Sequence, residues 1–325
     1  MAKKVIGRKR TGRKSFNYYV RDIKIIDEQS LDYFRSLKIP PAWQDVQIFQ
    51  NQKARILATG MDDAGRMQYI YHPTFRARQD KEKFERTLRF ARALPNMRRL
   101  TLQHLDQVGL EREKVLACIV RLMDLAYFRV GNEVYAQENE SYGLTTMRSK
   151  HVSVSGDTIT FDFVGKSGKK HLKVVTDRQL ADLVKRLDAL PGYEVFKYFD
   201  ESGLLKDVKS ADVNEYIKEI MGEEFTAKDF RTWGGTLLAS AELAKKERPR
   251  LENDRRKAVA ECIKNVASSL GNTPAVTRSA YIDPRVLKAF SNNKLFTVYQ
   301  TVSSMNRETY LSADEHCVLE LLQEL

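Results

Sequence analysis

Cysteine is scarce: 325 residues contain three, Cys118, Cys262 and Cys317, far apart and odd in number. That argues against a disulfide framework and a zinc site, and it implies a reducing compartment. The five histidines are scattered and never fall at ligand spacing from one another or from a cysteine, which argues against a structural metal. No apolar run is long enough to cross a bilayer. The basic N-terminus lacks the apolar stretch of a secretory signal. Internal repeats and low-complexity linkers are also missing. The remaining composition, 42% apolar and 30% charged, describes a soluble folded chain long enough for two domains.

Acidic residues are outnumbered 43 to 55, leaving a net charge of +12. The excess is uneven. Residues 1–84 hold 18 Lys and Arg against 9 Asp and Glu, and the remainder holds 37 against 34. A charge concentrated in the first quarter points to a polyanionic partner, nucleic acid first among them. The opening "MAKKVIGRKRTGRKS" reads as a basic arm, Lys3 to Lys14, either a solubility tail or a source of salt-sensitive, sequence-independent affinity.

The pattern along the chain is α+β. Residues 16 to about 80 read as a small antiparallel β domain. "VQIFQ", "KARILATG" and "GRMQYIYHP" are short strands, "MDDAG" is a tight turn, and one helix over about 28–37 precedes Pro40-Pro41. A charged helical period begins near 74 and is expected to end at Pro95. Residues 111–128 form the clearest helix, with Val115, Leu116, Ile119, Leu122, Met123 and Ala126 at i, i+3, i+4 spacing. "KHVSVSGDTITFDFVGKSGKKHLKVVTD" alternates with period 2 around two turns, a three-stranded antiparallel sheet. The rest is helical, over about 177–189, 211–221, 227–247, 254–270, 274–281 and 284–291, with a further C-terminal helix. The domains are expected at 1–82 and 83–325.

"GKS" at 165–167 resembles the end of a phosphate-binding loop, but the required first glycine is Thr160 and the context is a hairpin, so nucleotide binding is rejected. What remains is Lys166 at a hairpin tip. Arg129 sits at the end of an otherwise apolar helix and needs a partner. Thr226 suits an N-cap, which puts Arg231 in the first two turns of its helix. Each of these is ordinarily a structural residue, and so is a lone Tyr281. Their order, Arg129, Lys166, Arg231, Asn272, Tyr281, suits another chemistry. A tyrosine attacking a DNA phosphodiester builds negative charge on the non-bridging oxygens, which two arginines can clamp. The 5′-oxygen leaving group needs a proton, which a hairpin lysine can deliver. Neither metal nor ATP is required, because a phosphotyrosyl bond stores the energy of the broken one.

The stretches "IPPAWQDV", "GRMQYIYHP", "FRVGNEVYAQENESYGLTT", "FVGKSGKKH", "KDFRTWGG" and "LGNTPAVTRSAYIDP" together resemble the small type IB DNA topoisomerases of poxviruses and bacteria, over about residues 39–290. The resemblance implies a β N-terminal domain and a mainly α catalytic domain of the tyrosine-recombinase and topoisomerase IB type, closing on duplex DNA as a clamp. It implies attack by Tyr281 to give a 3′-phosphotyrosyl link, swivelling of the free strand, and religation, which relaxes supercoils of both signs. Arg129 and Arg231 would hold the phosphate, and Lys166 would act as general acid. Viral members have histidine where this chain has Asn272, which can donate a hydrogen bond but cannot titrate near neutrality. The asparagine resembles the bacterial branch, and with it a monomer in a bacterial cytoplasm, associated with the nucleoid. The resemblance puts Arg66, Gln68, Tyr69 and Tyr71 on DNA, with Tyr135 and Lys228 supporting the phosphate region. Period 2 sets Tyr69 and Tyr71 on one strand face and Arg66 and Gln68 on the other. The rivals are a tyrosine recombinase, which would normally carry histidine where Lys228 stands, and a non-catalytic DNA-clamping protein.

Overall fold

The computed structural model describes residues 5–13, 15–302 and 310–324. The chain divides into two compact units, Met1–Glu85 and Arg86–Leu325.

The first unit is a six-stranded antiparallel sheet with one helix. In chain order its elements are β1 (Val5–Arg10), β2 (Phe16–Val20), β3 (Ile23–Lys24), α1 (Glu28–Ser36), β4 (Gln44–Phe49), β5 (Ile56–Met61) and β6 (Met67–Tyr71). The sheet order is β3-β2-β1-β4-β5-β6. The basic arm is therefore an inner strand from Val5 to Arg10, paired with β2 on one side and β4 on the other. Ile6 explains why: its side chain is only 1% exposed, in a core with Tyr18, Phe34, Val46, Ile48 and Ala58. Arg8 is also structural. It donates to the carbonyls of Ile39, Pro40 and Trp43 at 2.8–3.1 Å and lies 4.1 Å from the Phe16 ring centroid. Lys3, Lys4 and Lys14 lie outside the described residues. Helix α1 starts at Asp27, whose carboxylate accepts the Ser30 N–H.

Helix α2 (Pro73–Leu105) runs straight through Pro95, contrary to the expected stop. A proline removes one hydrogen bond of the ladder. Phe90, Ala91, Leu94 and Met97, which flank it, are fully buried, and each buried large side chain contributes about 1.5–3 kcal/mol. Packing on that scale outweighs the local penalty.

The second unit continues with α3 (Arg112–Ala126), α4 (Glu133–Asn139), β7 (Val152–Ser155), β8 (Thr158–Gly165), β9 (Lys169–Thr176) and α5 (Arg178–Asp188). A small hairpin follows, β10 (Lys197–Phe199) and β11 (Leu205–Asp207), in a stretch where the sequence predicts no strand. Seven helices then follow among the described residues: α6 (Ser210–Met221), α7 (Ala227–Ala244), α8 (Glu252–Leu270), α9 (Pro274–Ala280), α10 (Pro284–Ser291), α11 (Lys294–Val302) and α12 (Ala313–Gln323). Strands β7, β8 and β9 form the expected three-stranded antiparallel sheet. The larger unit is thus mainly helical around one core.

One charged network runs through that core. Arg98 on α2 makes a two-pronged bond to Asp124 on α3 (both 2.8 Å) and another to Glu315 on α12 (2.7 and 2.8 Å). Arg121 also reaches Asp124 at 2.7 Å, and the Trp233 indole of α7 donates to Glu315 at 3.3 Å. Burial opposes the Arg98 charge, but Glu315 and Asp124 outweigh it and raise its pKa. Asp124 and Glu315 are 8% and 3% exposed, so removing Arg98 strands buried carboxylates. We expect Arg98→Met to cost about 3–5 kcal/mol in the unfolding free energy measured by urea titration; a cost below about 1 kcal/mol, the range of an exposed pair, would contradict the network's role.

Candidate active site

Two helix ends build the site. Helix α3 stops at Ala126, with Tyr127 left-handed at its C-cap (φ 54°). Arg129 therefore lies beyond the helix rather than at its end, as expected from the sequence. Helix α8 stops at Leu270 with Gly271 left-handed (φ 65°), and the Asn272 N–H returns to the Ala267 carbonyl at 2.9 Å. The last carbonyls of any helix lack intrahelical donors, and here cationic side chains supply them.

Arg231, one turn into α7, is 4% exposed. Its Nη1 donates to Tyr127 O at 2.7 Å and its Nη2 to Leu270 O at 2.8 Å. Arg129 Nη2 donates to the Asn272 side-chain oxygen at 2.6 Å and to Gly271 O at 3.3 Å. Lys169 reaches Asn272 O at 2.6 Å, and Lys173 reaches Ala126 O at 2.5 Å and Ser269 O at 3.3 Å. Among the described residues, no hydrogen bond or ion pair joins these four cations to a carboxylate. Burial, and then their mutual repulsion, acts on the charges. Arg231 is pushed down to about 10 and Lys173 to about 8, each by burial first and the neighbouring cations second, and burial lowers Arg129. Nε of Arg231 and Nδ2 of Asn272, both buried donors of this cluster, lack a protein acceptor. Buried positive charge with unspent donors is a receptor for an anion.

Tyr281 lies beside this cluster, with Arg231 Cζ 5.2 Å from its ring centroid. It caps α9, donating its N–H to Thr277 O at 3.0 Å. Its own carbonyl accepts from Thr236 Oγ1 at 3.3 Å. Gly234 and Gly235 of α7 permit two close approaches. A Cβ on Gly235 would meet Tyr281 O at 2.4 Å, and one on Gly234 would meet the Tyr127 ring at 2.3 Å. Helix α7 thus sets both Arg231 and Tyr281. Its own start is fixed at Thr226, whose N–H and hydroxyl both donate to Asp229 at 2.9 Å; Asp229 also accepts from Arg86.

The structure therefore brings Arg129, Arg231, Asn272 and Tyr281 together. Lys166 is exposed in the single turn between β8 and β9, and none of the described contacts joins it to the other four. Lys228 is exposed in the first turn of α7, and Tyr135 is 39% exposed on α4. In the first unit, Tyr69 and Tyr71 stack at 5.9 Å on the open face of β6. Ile70, on the other face, packs on the core. Arg66 and Gln68 are both bound to Asp62, at 2.9 Å.

Sequence reasoning missed Lys169, His171 and Lys173. Their period-2 spacing puts all three on one face of β9, beside the expected lysine hairpin, and that was the available signal. His171 stacks on Phe163 at 5.1 Å and fills the space a Cβ of Gly271 would need. Burial, then Lys173 and both arginines, push it down to about 4. A folded pKa below the ordinary histidine value of about 6.5 means the unfolded chain binds the proton first, so stability falls as the pH drops from about 6.5 to about 4. Urea midpoints at pH 7 and pH 4.5 should show a smaller loss for His171→Gln than for the wild type. Equal losses would mean that His171 does not titrate as a buried neutral ring.

Among the described residues no group of three His, Cys, Asp or Glu could hold a metal, and no helix is long and apolar enough to cross a membrane. Residues 72–307 match the family described as "Eukaryotic DNA topoisomerase I, catalytic core", and residues 15–62 match "Bacterial DNA topoisomerase IB, N-terminal domain". The chain is 33% identical over 300 residues to DNA topoisomerase 1B of Acanthamoeba polyphaga mimivirus, covering 90% of this chain and 89% of that one. It is 26% identical over 297 residues to DNA topoisomerase 1B of vaccinia virus (strain Copenhagen), covering 88% and 89%. Against DNA topoisomerase 1 of Mycosarcoma maydis it is 27% identical over 211 residues, covering 57% of this chain and 20% of the other.

Proposed function

The chain belongs to the type IB DNA topoisomerase family, and from that premise we propose how its residues carry out the reaction. Tyr281 gives up its phenolic proton to solvent, and its Oη attacks a backbone phosphorus of duplex DNA. The P–O5′ bond breaks, and its electron pair leaves on the 5′-oxygen, which takes a proton from Lys166. A 3′-phosphotyrosyl link and a free 5′-hydroxyl strand result. The strand swivels, attacks the link in reverse, and supercoils of either sign relax. Arg129 and Arg231 hold the non-bridging oxygens, and Asn272 donates to one of them through Nδ2. Lys228 and Tyr135 line the approach to the phosphate. Arg66, Gln68, Tyr69 and Tyr71 meet DNA from the smaller unit, and the grip on the duplex as a clamp is part of the same proposal. So are action as a monomer in a bacterial cytoplasm and independence of metal and nucleotide.

The observation that carries this reading is the cluster of cations and unspent donors around Tyr281, held by carbonyls and not neutralised by carboxylates. Such a cluster stabilises charge that develops in a transition state, because its donors are set before the reaction. It also lets the stored bond energy be the only fuel required.

Relaxation of positively and negatively supercoiled plasmid, with chelator present and ATP absent, tests the reading. Detergent quenching should trap a covalent 3′ adduct that Tyr281→Phe cannot form. Binding without relaxation or adduct would remove the reading in favour of a DNA-clamping protein. For Lys166→Ala, cleavage of an ordinary phosphodiester should slow while a 5′-thio leaving group, which needs no proton, is spared. Equal slowing of both would take the general-acid role from Lys166.

A further inference from the structure

Two cations bridge the same pair of helix ends. Arg231 spans Tyr127 O and Leu270 O. Lys173 spans the carbonyls one residue earlier on each helix, Ala126 O and Ser269 O. The ends of α3 and α8 are thus tied twice, by parallel bridges from different elements, α7 and β9. We propose that Lys173 is a positioning residue of the strand-transfer reaction, holding these two helix ends together so that Arg231 can turn its donors from the carbonyls to the scissile phosphate. The inference rests on the function proposed above and deepens it.

The two bridges are not equivalent. Arg231 has its guanidinium over the Tyr281 ring and a buried Nε without an acceptor, so it faces the reacting groups. The Lys173 ammonium points at carbonyls and lies 5.4 Å from the Phe128 ring centroid, over an aromatic face. Arg231 spends two of its five N–H donors on the carbonyls, and a phosphate that draws the rigid planar fork toward itself weakens those two bonds. Without a second tie, the helix-end carbonyls would lose their cation as the phosphate gained it. Lys173 keeps the neighbouring pair, Ala126 O and Ser269 O, tied together throughout. Burial and the nearby charges of Arg231 and Arg129 set its ammonium near 8, so it is charged at neutral pH but less firmly than an ordinary lysine. The helix ends matter because Gly271 and Asn272 follow directly on α8, and Arg129 reaches both. Lys169 extends the same brace along β9, to Asn272 O. The strand that carries these contacts continues from the turn holding Lys166, so the base of the hairpin is fixed while its tip is exposed.

Lys173→Met and Lys173→Arg test this in single-turnover cleavage of a duplex that cannot religate, alongside melting temperature and duplex affinity. Lys173→Met should lower the cleavage rate constant by about 10- to 100-fold, the size expected for a small misplacement of catalytic groups. Duplex affinity should stay near wild type, because Lys173 bonds to the protein and not to phosphate. The melting temperature should move by no more than about 2 °C. Lys173→Arg, which keeps the charge and the donors, should recover most of the rate. A Lys173→Met rate within about twofold of wild type would overturn the proposal. So would a rate loss that follows a loss of melting temperature, or a Lys173→Arg variant as slow as Lys173→Met. Wild-type protein that forms no adduct would count against the strand-transfer reading itself, whereas equal adduct rates in wild type and Lys173→Met would remove this inference alone.

Discussion

Carbonyl oxygens at two helix C-termini hold the cations of the site, and much of the larger unit serves to bring those ends together. A helix C-terminus carries partial negative charge and unpaired acceptors. Arg231, Arg129, Lys169 and Lys173 all take their partners there. A neutral carbonyl orients a cation without cancelling its charge. The same helix, α3, shows the alternative two residues before its end. Arg98 is clasped there between Asp124 and Glu315, and its pKa rises. Arg231, held by carbonyls, has its pKa lowered instead. One fold thus holds one arginine neutralised by carboxylates and another held only by carbonyls, their partners Asp124 and Tyr127 lying three residues apart at the end of α3.

The second constraint is close approach. "TWGG" lets α7 touch Tyr127 through Gly234 and Tyr281 through Gly235. Trp233, between them and Arg231, is fixed by its bond to Glu315. Tyr281, Arg231 and the charged core network are therefore all set by one helix turn. Position by rigid, packed elements is what a preorganised site needs. The exposed hairpin tip bearing Lys166 is the exception, and it rises from a braced strand.

Much of this was legible in the sequence. The amphipathic spacing in α3, the alternation in β8 and the turn residues around it are local signals, and local packing agreed with them. Arg129, Arg231, Asn272 and Tyr281 were nominated together and do meet. The failures come from tertiary terms. Pro95 is a helix breaker by local chemistry, but the buried side chains around it keep α2 continuous. Val5–Arg10 looked like a basic arm because its charges outnumber its one core residue, Ile6, yet strand pairing on both sides makes it interior. Lys173 was missed because its partners are backbone carbonyls, and only its period-2 spacing with Lys169 and His171 on β9 pointed to it.

The most direct measurement is a crystal structure of the Tyr281→Phe protein bound to an uncleaved duplex. The account predicts that the guanidinium groups of Arg129 and Arg231 lie on the non-bridging oxygens of one phosphate. Lys173 should still join Ala126 and Ser269 across helix ends at their present separation. Arginines that stay on their carbonyls, with the phosphate bound elsewhere, would contradict the account.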